Sequence, residues 1–261
     1  MKREILEKMI NPMDEIEEKV VKFVRDEVTN RGFKKVILGL SGGIDSALVA
    51  FIATKALGKE NVSTLMMPYK TSSPESLAHG KLVVEKLGVK TKKIEITPMV
   101  DAYFETEKGA TSLRKGNMMA RTRMAVLFDN SSKEDALVIG TSNKTEILLG
   151  YGTQYGDTAC GINPIGELFK AQVFELAKRL GVPKELIEKK PSADLWEGQT
   201  DEEELGFTYD LADEILFQIS IERKTKEELE DMGYSKTLLD TIFNRIKRNA
   251  YKSSMPAIAK L

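Results

Sequence analysis

The segment from Gly39 to Ser46, Gly-Leu-Ser-Gly-Gly-Ile-Asp-Ser, has the residue types of a phosphate-binding loop. Adjacent glycines let backbone N–H groups approach an anion closely, and the start of a helix adds the positive end of its dipole. The loop lacks the lysine of the G-x-x-x-x-G-K-[ST] pattern, and that pattern occurs nowhere in the chain. The residues therefore predict a phosphate site and leave open which bond is broken there.

Two carboxylates, Asp45 and Glu146, are candidate metal ligands. Asp45 follows the first predicted strand, and Glu146 ends the segment Gly140-Thr-Ser-Asn-Lys-Thr-Glu after a later strand. If the sheet order reverses beside the first strand, these two loops become neighbours. Carboxylates beside a phosphate loop suit Mg²⁺, which prefers oxygen ligands. The alternative is that Asp45 caps its helix and Glu146 is a solvated helix residue.

The segment from Gly116 to Met124 places Asn117 and Arg121 four residues apart on one helix face, with Arg123 to the side. Guanidinium groups can donate forked hydrogen bonds to the anionic groups of a phosphate-rich ligand. Solvated surface arginines are the commoner alternative, so this motif alone does not decide between the two.

These segments lie in an alternation of strands and helices. Apolar runs predict strands at about 35–40, 62–67, 91–97 and 136–141. Helical periodicity predicts helices over 13–30, from 46 to 58, and over 73–87, 98–107 and 117–129. The alternation indicates an α/β fold, a doubly wound and mostly parallel sheet with helices on both faces, whose ligand crevice lies at the carboxyl ends of the strands.

The alternation fades after residue 145. Helical patterns return over about 170–180, 208–222 and 236–251, which predicts a helical C-terminal part. The polar segment 189–206, which contains Trp196, predicts a lid-like loop that orders when both ligands are bound. We interpret 1–261 as a single domain with a core at about 30–182, an N-terminal helix at 13–30, the lid-like loop and C-terminal helices at 208–254.

The composition argues against several classes of protein. With 39 basic and 40 acidic residues the net charge is −1, which disfavours nucleic acid or an anionic membrane as partner. The single cysteine, Cys160, cannot form a disulfide or a cysteine zinc site within the chain, and it fits a reducing cytoplasm. The longest apolar run, Ala47 to Ala53, is far shorter than a membrane span. We therefore expect a cytoplasmic protein.

Several motifs together carry a family resemblance. Ser41-Gly-Gly-Ile-Asp-Ser46 resembles the SGGxDS loop of the N-type ATP pyrophosphatases, a superfamily of the adenine nucleotide alpha hydrolase-like, or PP-loop, fold that splits ATP between its α- and β-phosphates. Within that superfamily the chain is similar to the NAD synthetases over nearly its whole length. The further motifs are Gly116 to Met124, Gly140 to Asp157, and Lys189 to Glu202. The resemblance explains the missing lysine, because such a loop holds the leaving pyrophosphate.

The resemblance implies a reaction and its partners. The family amidates nicotinic acid adenine dinucleotide (deamido-NAD) with ammonia and ATP, which gives NAD, AMP and pyrophosphate through an acyl-adenylate, as the last step of NAD biosynthesis. It implies Mg²⁺ as cofactor, ATP as co-substrate and a homodimer with the dinucleotide at the subunit interface. Only about 40 residues precede the loop, too few for the amidase domain of some members, so we expect free ammonia as donor.

The resemblance also implies residue roles. It predicts that Asp45 and Glu146 bind Mg²⁺ and that the catalytic residues are Asp45, Lys170 and Ser192. It predicts a dinucleotide site at Asn117, Arg121, Gln154 and Asp157. The implied ATP site consists of Gly39, Ser41, Gly42, Gly43, Ile44, Ser46, Arg123, Thr141, Lys170 and Ser192.

Other interpretations stay open at this point. A related amidating ligase should lack the motifs at Gly116 to Met124 and Lys189 to Asp201. A nucleotide sensor without turnover would not need two metal carboxylates together with Lys170. The single histidine, His79, is expected at a surface or boundary position, and Cys160 is expected to be a small packed residue.

Overall fold

A four-stranded parallel sheet lies at the centre of the fold in the computed structural model, which describes residues 2–192 and 200–259. The strands are β1 (Lys35–Gly39), β2 (Val62–Met66), β3 (Lys90–Lys93) and β4 (Ala136–Val138). Their order is β3-β2-β1-β4, and every neighbouring pair is parallel. The order reverses beside β1, which meets the condition set in the sequence analysis, so the loops after β1 and β4 are adjacent at the carboxyl edge.

Thirteen α-helices surround the sheet in the described ranges. They are α1 (Arg3–Ile10), α2 (Met13–Asn30), α3 (Ile44–Leu57), α4 (Pro74–Leu87), α5 (Thr97–Phe104), α6 (Ser112–Glu134), α7 (Lys144–Leu149), α8 (Lys170–Leu180), α9 (Lys184–Glu188), α10 (Asp201–Leu205), α11 (Tyr209–Ser220), α12 (Lys226–Asp231) and α13 (Lys236–Asn249). Short 3₁₀ helices occupy Lys59–Asn61 and Ala250–Ser253. Among the described helices, none combines the length and apolar character that a bilayer crossing requires.

The two faces of the sheet pack against different helices because side chains alternate along a strand. From β1, Val36 and Leu38 join α2, α3 and α8 in one core cluster. Ile37, from the same strand, points the other way and packs with residues of α5 and α6 in a second cluster. This arrangement confirms the predicted α/β fold with helices on both faces.

A third apolar cluster lies beyond the sheet. It joins α1 to the C-terminal helices α11, α12 and α13 through residues such as Met9, Ile215 and Leu239, all fully or almost fully buried. The packing of α1 and α11 against α8 connects this helical layer to the sheet core. The site residues carried by α8 therefore lie between the sheet core and the C-terminal helices.

The structure corrects some predicted bounds. The strand predicted at 91–97 ends at Lys93, because Pro98 favours helix at the start of α5. Ile94 and Ile96 still donate backbone N–H bonds to Met66 and Pro68, so the chain runs beside β2 without forming a strand. Helix α6 is longer than the predicted 117–129, and α10 lies inside the segment 189–206. Trp196 and the rest of 193–199 lie outside the described residues.

Candidate active site

The loop after β1 forms a tight turn that its own serines stabilise. The Ser41 hydroxyl accepts the Gly43 N–H at 3.2 Å and lies 3.0 Å from the Ser46 hydroxyl, which also donates to the Gly43 carbonyl. Gly42 has a φ of +80°, and a Cβ there would lie 2.1 Å from the backbone oxygen of Ser76 in α4. Only glycine fits at this position, because the loop packs directly on the α4 backbone.

Asp45 lies in the first turn of α3, where it pairs with a lysine distant in sequence. Its Oδ2 lies 2.6 Å from Nζ of Lys170, and its Oδ1 accepts a hydrogen bond from Nδ2 of Asn143 at 2.9 Å. The N-cap of α3 is Gly43. The interpretation of Asp45 as a helix cap is therefore wrong, and its carboxylate instead connects the loops after β1 and β4.

Glu146 reaches the same lysine from α7. Its Oε1 lies 3.6 Å from Nζ of Lys170, and its Oε2 accepts the backbone N–H of Asn143 at 3.2 Å. Asn143 in turn caps α7 by accepting the Glu146 N–H at 3.0 Å, which completes a capping box. Glu146 is therefore not simply a solvated helix residue. We call Asp45, Asn143, Glu146 and Lys170 the carboxylate cluster.

The cluster is strongly coupled electrostatically. Burial raises the pKa of Glu146, and repulsion from Asp45 raises it further, although the Lys170 ammonium acts in the opposite direction. Burial alone would lower the pKa of Lys170, but the attraction of Asp45 and Glu146 outweighs it and the pKa is raised. The side chain of Lys170 is only 2% exposed, so a charged ammonium is held inside the protein by these two carboxylates.

Tyr209, Asp201 and Tyr151 form a group of polar side chains beside Lys170. Nζ of Lys170 lies 4.9 Å from the ring centroid of Tyr209, a distance suited to a cation–π contact. The Tyr209 hydroxyl donates to Asp201 at 3.1 Å, and the Tyr151 hydroxyl donates to the other Asp201 oxygen at 2.9 Å. Asp201 is buried, and burial raises its pKa. Asp201 thus begins α10 with its carboxylate inside the protein and not in solvent.

Asp213 of α11 fixes the backbone that carries Lys170. One of its oxygens accepts the Ala171 N–H at 2.7 Å, and the other accepts the Thr145 hydroxyl. The Thr145 hydroxyl oxygen also accepts the Lys170 N–H at 3.1 Å. Burial raises the pKa of Asp213 to about 6. The first turns of α7 and α8 are thus joined through one carboxylate.

The predicted dinucleotide residues meet on the segment 150–157, which we call the platform loop. The Thr153 hydroxyl donates to Oδ1 of Asn117 at 2.8 Å, and Nε of Arg121 donates to the Gln154 carbonyl at 3.2 Å. Asp157 accepts the Thr153 N–H at 2.8 Å, and burial raises its pKa. Asn117 and Arg121 thus lie on one helix face, as predicted, and both contact this loop.

The end of α13 and the 3₁₀ helix after it hold the platform loop from the other side. Nζ of Lys252 donates to the carbonyls of Gly150 and Gly152 at 2.8 and 3.0 Å. Asn249 packs so closely on Gly150 that an added Cβ would lie 2.0 Å from the Asn249 Cβ. Residues about 100 positions apart in the chain therefore fix the shape of this loop.

The remaining predicted residues lie around this edge. Nε of Arg123 donates to the Met67 carbonyl at 2.9 Å, just after β2. Thr141 lies between β4 and α7, on the loop that leads to the carboxylate cluster. Ser192 is the last described residue before 193–199, next to Pro191, whose carbonyl accepts the Asp201 N–H at 3.2 Å.

Sequence reasoning missed several of these groups. Asn143 was recoverable, because Asn143 and Glu146 have the spacing of a capping box. Asp213, Tyr209 and Lys252 carry no local signal, since their partners lie far away in sequence. His79 is buried, against expectation, and its Nδ1 is among the few buried polar atoms without a hydrogen-bond partner in the described part of the chain.

Comparison with known proteins adds to this geometry. The model of the NAD synthase family matches residues 16–256. The NH(3)-dependent NAD(+) synthetase of Fusobacterium nucleatum subsp. nucleatum is 59% identical over 249 residues, which cover 95% of this chain and 96% of that protein.

Two solved structures also resemble the chain closely, and each comparison covers 95% of this chain and 99% of the other. One is an NH3-dependent NAD synthetase from Campylobacter jejuni in complex with nitrate, with a TM-score of 0.81 and 38% identity. The other is an NMN synthetase from Francisella tularensis, with a TM-score of 0.85 and 34% identity.

Proposed function

The chain belongs to the NAD synthase family, and from this premise we propose how its residues carry out the ligase reaction of that family. The reaction is the ATP-dependent amidation of deamido-NAD by ammonia, the last step of NAD biosynthesis. One observation carries the assignment of the site. The carboxylate cluster includes Asp45 of the SGGxDS loop and places a buried lysine between two carboxylates.

The chemistry explains why ATP is required. A carboxylate is anionic and has no good leaving group, so ammonia does not displace oxygen from it. In the proposed sequence the nicotinate carboxylate attacks the α-phosphorus of ATP, which forms an acyl-adenylate and releases pyrophosphate. Ammonia then attacks the acyl carbon, AMP leaves, and the added nitrogen loses a proton. The protein positions the reactants and stabilises charge, and no side-chain nucleophile is needed.

The SGGxDS loop is the proposed binding site of the pyrophosphate. The Ser41 and Ser46 hydroxyls accept the N–H groups of Gly43 and Ser41 and so hold the turn, and the N-terminus of α3 adds its dipole. We assign Gly39, Gly42, Gly43 and Ile44 to the same site. Lys170 is positioned to offset the negative charge that builds on the leaving group.

The fold family implies Mg²⁺, and the donor set fits it. Asp45 and Glu146 supply oxygen ligands from two different elements, and a positive charge already lies between them, that of Lys170. When bound, the ion would neutralise charge on the phosphate oxygens. Asn143 holds the two carboxylates in place through one hydrogen bond to each.

The platform loop is the proposed dinucleotide site. The contacts of Asn117 and Arg121 with this loop support it, because they bring four predicted substrate residues together. The other two are Gln154 and Asp157. Arg123 and Thr141 are assigned to the ATP pocket from their places after β2 and β4. Ser192 and the lid-like loop 189–206 remain predictions.

A homodimer with the dinucleotide at its interface is supported by an apolar face on α6. Leu113 and Phe128 are 60% and 42% exposed, and Met99 of the neighbouring α5 is 44% exposed. At 100° per residue, Leu113, Asn117, Arg121 and Phe128 fall within roughly 80° of arc on α6. The exposed apolar side chains therefore flank the proposed substrate residues, as expected where a second subunit covers the site.

The proposed location is the cytoplasm, as the sequence predicts. Cys160 is the only cysteine, and its environment is consistent with a packed residue. Burial raises the pKa of its thiol, which makes it a poor nucleophile at neutral pH.

A product assay tests this function. Purified protein is incubated with ATP, Mg²⁺, ammonium and deamido-NAD, and the products are separated by chromatography. Equimolar NAD, AMP and pyrophosphate are expected, whereas ADP and phosphate would show that the loop has been misinterpreted. The likeness to an NMN synthetase makes nicotinic acid mononucleotide the second acceptor to test. A higher kcat/KM for the mononucleotide than for deamido-NAD would make the mononucleotide the preferred substrate of the same amidation reaction.

A further inference from the structure

In each carboxylate of the cluster, one oxygen accepts a hydrogen bond from Asn143 and the other faces Lys170. Asn143 donates to Oδ1 of Asp45 and to Oε2 of Glu146, at 2.9 and 3.2 Å. The other oxygens, Oδ2 of Asp45 and Oε1 of Glu146, face Nζ of Lys170 at 2.6 and 3.6 Å. The two oxygens directed away from Asn143 therefore share a single cation.

A divalent ion placed between the two carboxylates would most directly use these same oxygens, because the other two already accept hydrogen bonds from Asn143. Mg²⁺ binds oxygen at about 2.0–2.1 Å and demands near-ideal octahedral geometry. An ammonium 2.6 Å from one of those oxygens occupies the space between the two carboxylates and would repel a metal ion there. Lys170 and Mg²⁺ thus compete for one place.

The backbone of Lys170 is held by contacts that do not involve its ammonium. Its backbone N–H is held by Thr145, and the next N–H is held by Asp213. Those bonds fix the start of α8, whereas the ammonium sits at the end of a flexible four-carbon chain. A change in the position of the ammonium is therefore confined to the side chain.

We propose that Lys170 is an internal cation that occupies the metal position of the nucleotide-free protein, so that Mg²⁺ must displace its ammonium before it binds Asp45 and Glu146. The proposal rests on the proposed function, because it takes these carboxylates as the metal ligands. It assigns Lys170 a role before the reaction begins. The positive charge of the ammonium balances the negative charge of two buried carboxylates. A bound triphosphate would give the ammonium another anionic group to pair with.

Binding of Mg²⁺ alone to nucleotide-free protein tests this competition by isothermal titration calorimetry. Lys170→Met keeps an unbranched side chain that fills most of the same space, and it removes the ammonium and its charge. We expect it to bind Mg²⁺ about tenfold or more tightly than the parent, within the usual range of coupling between two sites. The matched control is Lys144→Met. Lys144 also pairs with a carboxylate, Glu167 at 2.7 Å, and lies 5.2 Å from an aromatic ring, but it is outside the carboxylate cluster.

The outcomes separate this proposal from the function. Unchanged Mg²⁺ affinity in Lys170→Met overturns the proposal, even if the parent protein makes NAD. A parent protein that makes no NAD overturns the proposed function, whatever the calorimetry shows. If Lys170→Met does not fold in metal-free buffer, the titration uses Lys170→Gln, whose neutral amide still offers hydrogen-bond donors beside the carboxylates. Tighter binding by that variant supports the competition, and equal binding overturns it.

Discussion

Gly42 and Gly32 offer a matched pair of substitutions that separates backbone strain from close packing. Their φ angles are almost the same, +80° and +79°. A Cβ at Gly42 would lie 2.1 Å from the Ser76 oxygen, whereas a Cβ at Gly32 would have no heavy atom within 4 Å. Alanine at either position therefore carries the same left-handed strain, but only at Gly42 does it also push two elements apart.

The expected magnitudes follow from that difference. Left-handed backbone costs an alanine about 1–2 kcal/mol, so Gly32→Ala should lose roughly that much stability. Gly42→Ala adds a clash with rigid backbone, more than 1 Å closer than ordinary contact, which costs about 1–3 kcal/mol further. Relief of the clash displaces the loop from α4 by about 1 Å, and a misplacement of that size reduces activity about a hundredfold.

Two measurements test this reasoning. Urea unfolding of both variants gives the difference in their free energies of unfolding, and initial rates at varied ATP give kcat/KM. We expect near-parental kcat/KM for Gly32→Ala and a loss of about a hundredfold for Gly42→Ala. Equal kcat/KM in the two variants would show that contact of the loop with Ser76 does not set its shape.

Three further predictions concern the carboxylate cluster and its surroundings. Asp45→Asn removes the closer carboxylate from buried Lys170, which should cost about 3 kcal/mol in urea unfolding and abolish NAD formation. A variant as active as the parent would refute the metal assignment. The pKa of Asp213 is raised from 3.8 to about 6, so the folded state binds this proton more tightly than the unfolded chain. The resulting stabilisation is lost as the pH rises through about 6, and the free energy of unfolding should fall by up to about 3 kcal/mol between about pH 4 and 7. Asp213→Asn should lack this slope, and parallel pH profiles would contradict the prediction. Thr153→Val removes the hydrogen bond to Asn117 and should raise KM for deamido-NAD about tenfold with KM for ATP unchanged, whereas an equal rise in both values would place Thr153 outside the dinucleotide site.

The strand and helix alternation was recoverable from sequence because its signals are local. Hydrophobic runs such as Val36 to Leu38 indicate the strands, and glycines directly follow the apolar runs of the first and last strands, at Gly39 and Gly140. Asp45 and Glu146 could be placed at one edge on that basis once the strand order was assumed to reverse beside the first strand. Their shared contact with Lys170 could not, because it depends on how α8 packs against α3.

The groups that sequence reasoning missed depend on distant partners. Asp213 looks like any acidic residue of an amphipathic helix until α11 packs on α8 and brings it to Thr145. The burial of Asp201 was also not predictable, since it depends on the two tyrosine hydroxyls that hydrogen-bond to it. Charge runs indicate solvated surface only where the fold supplies no such partner.

The contacts of Asn249 and Lys252 with the segment around Gly150 and Gly152 affect the order in which parts of the chain can fold during translation. Translation proceeds from the N-terminus, and regions generally fold as they emerge from the ribosome. The parallel sheet and the SGGxDS loop can assemble from the first two thirds of the chain. The platform loop cannot make its contacts with Asn249 and Lys252 until about 100 more residues have been translated. We therefore expect a nascent chain on the ribosome to form the proposed phosphate site first and to complete the proposed dinucleotide site only near the end of translation.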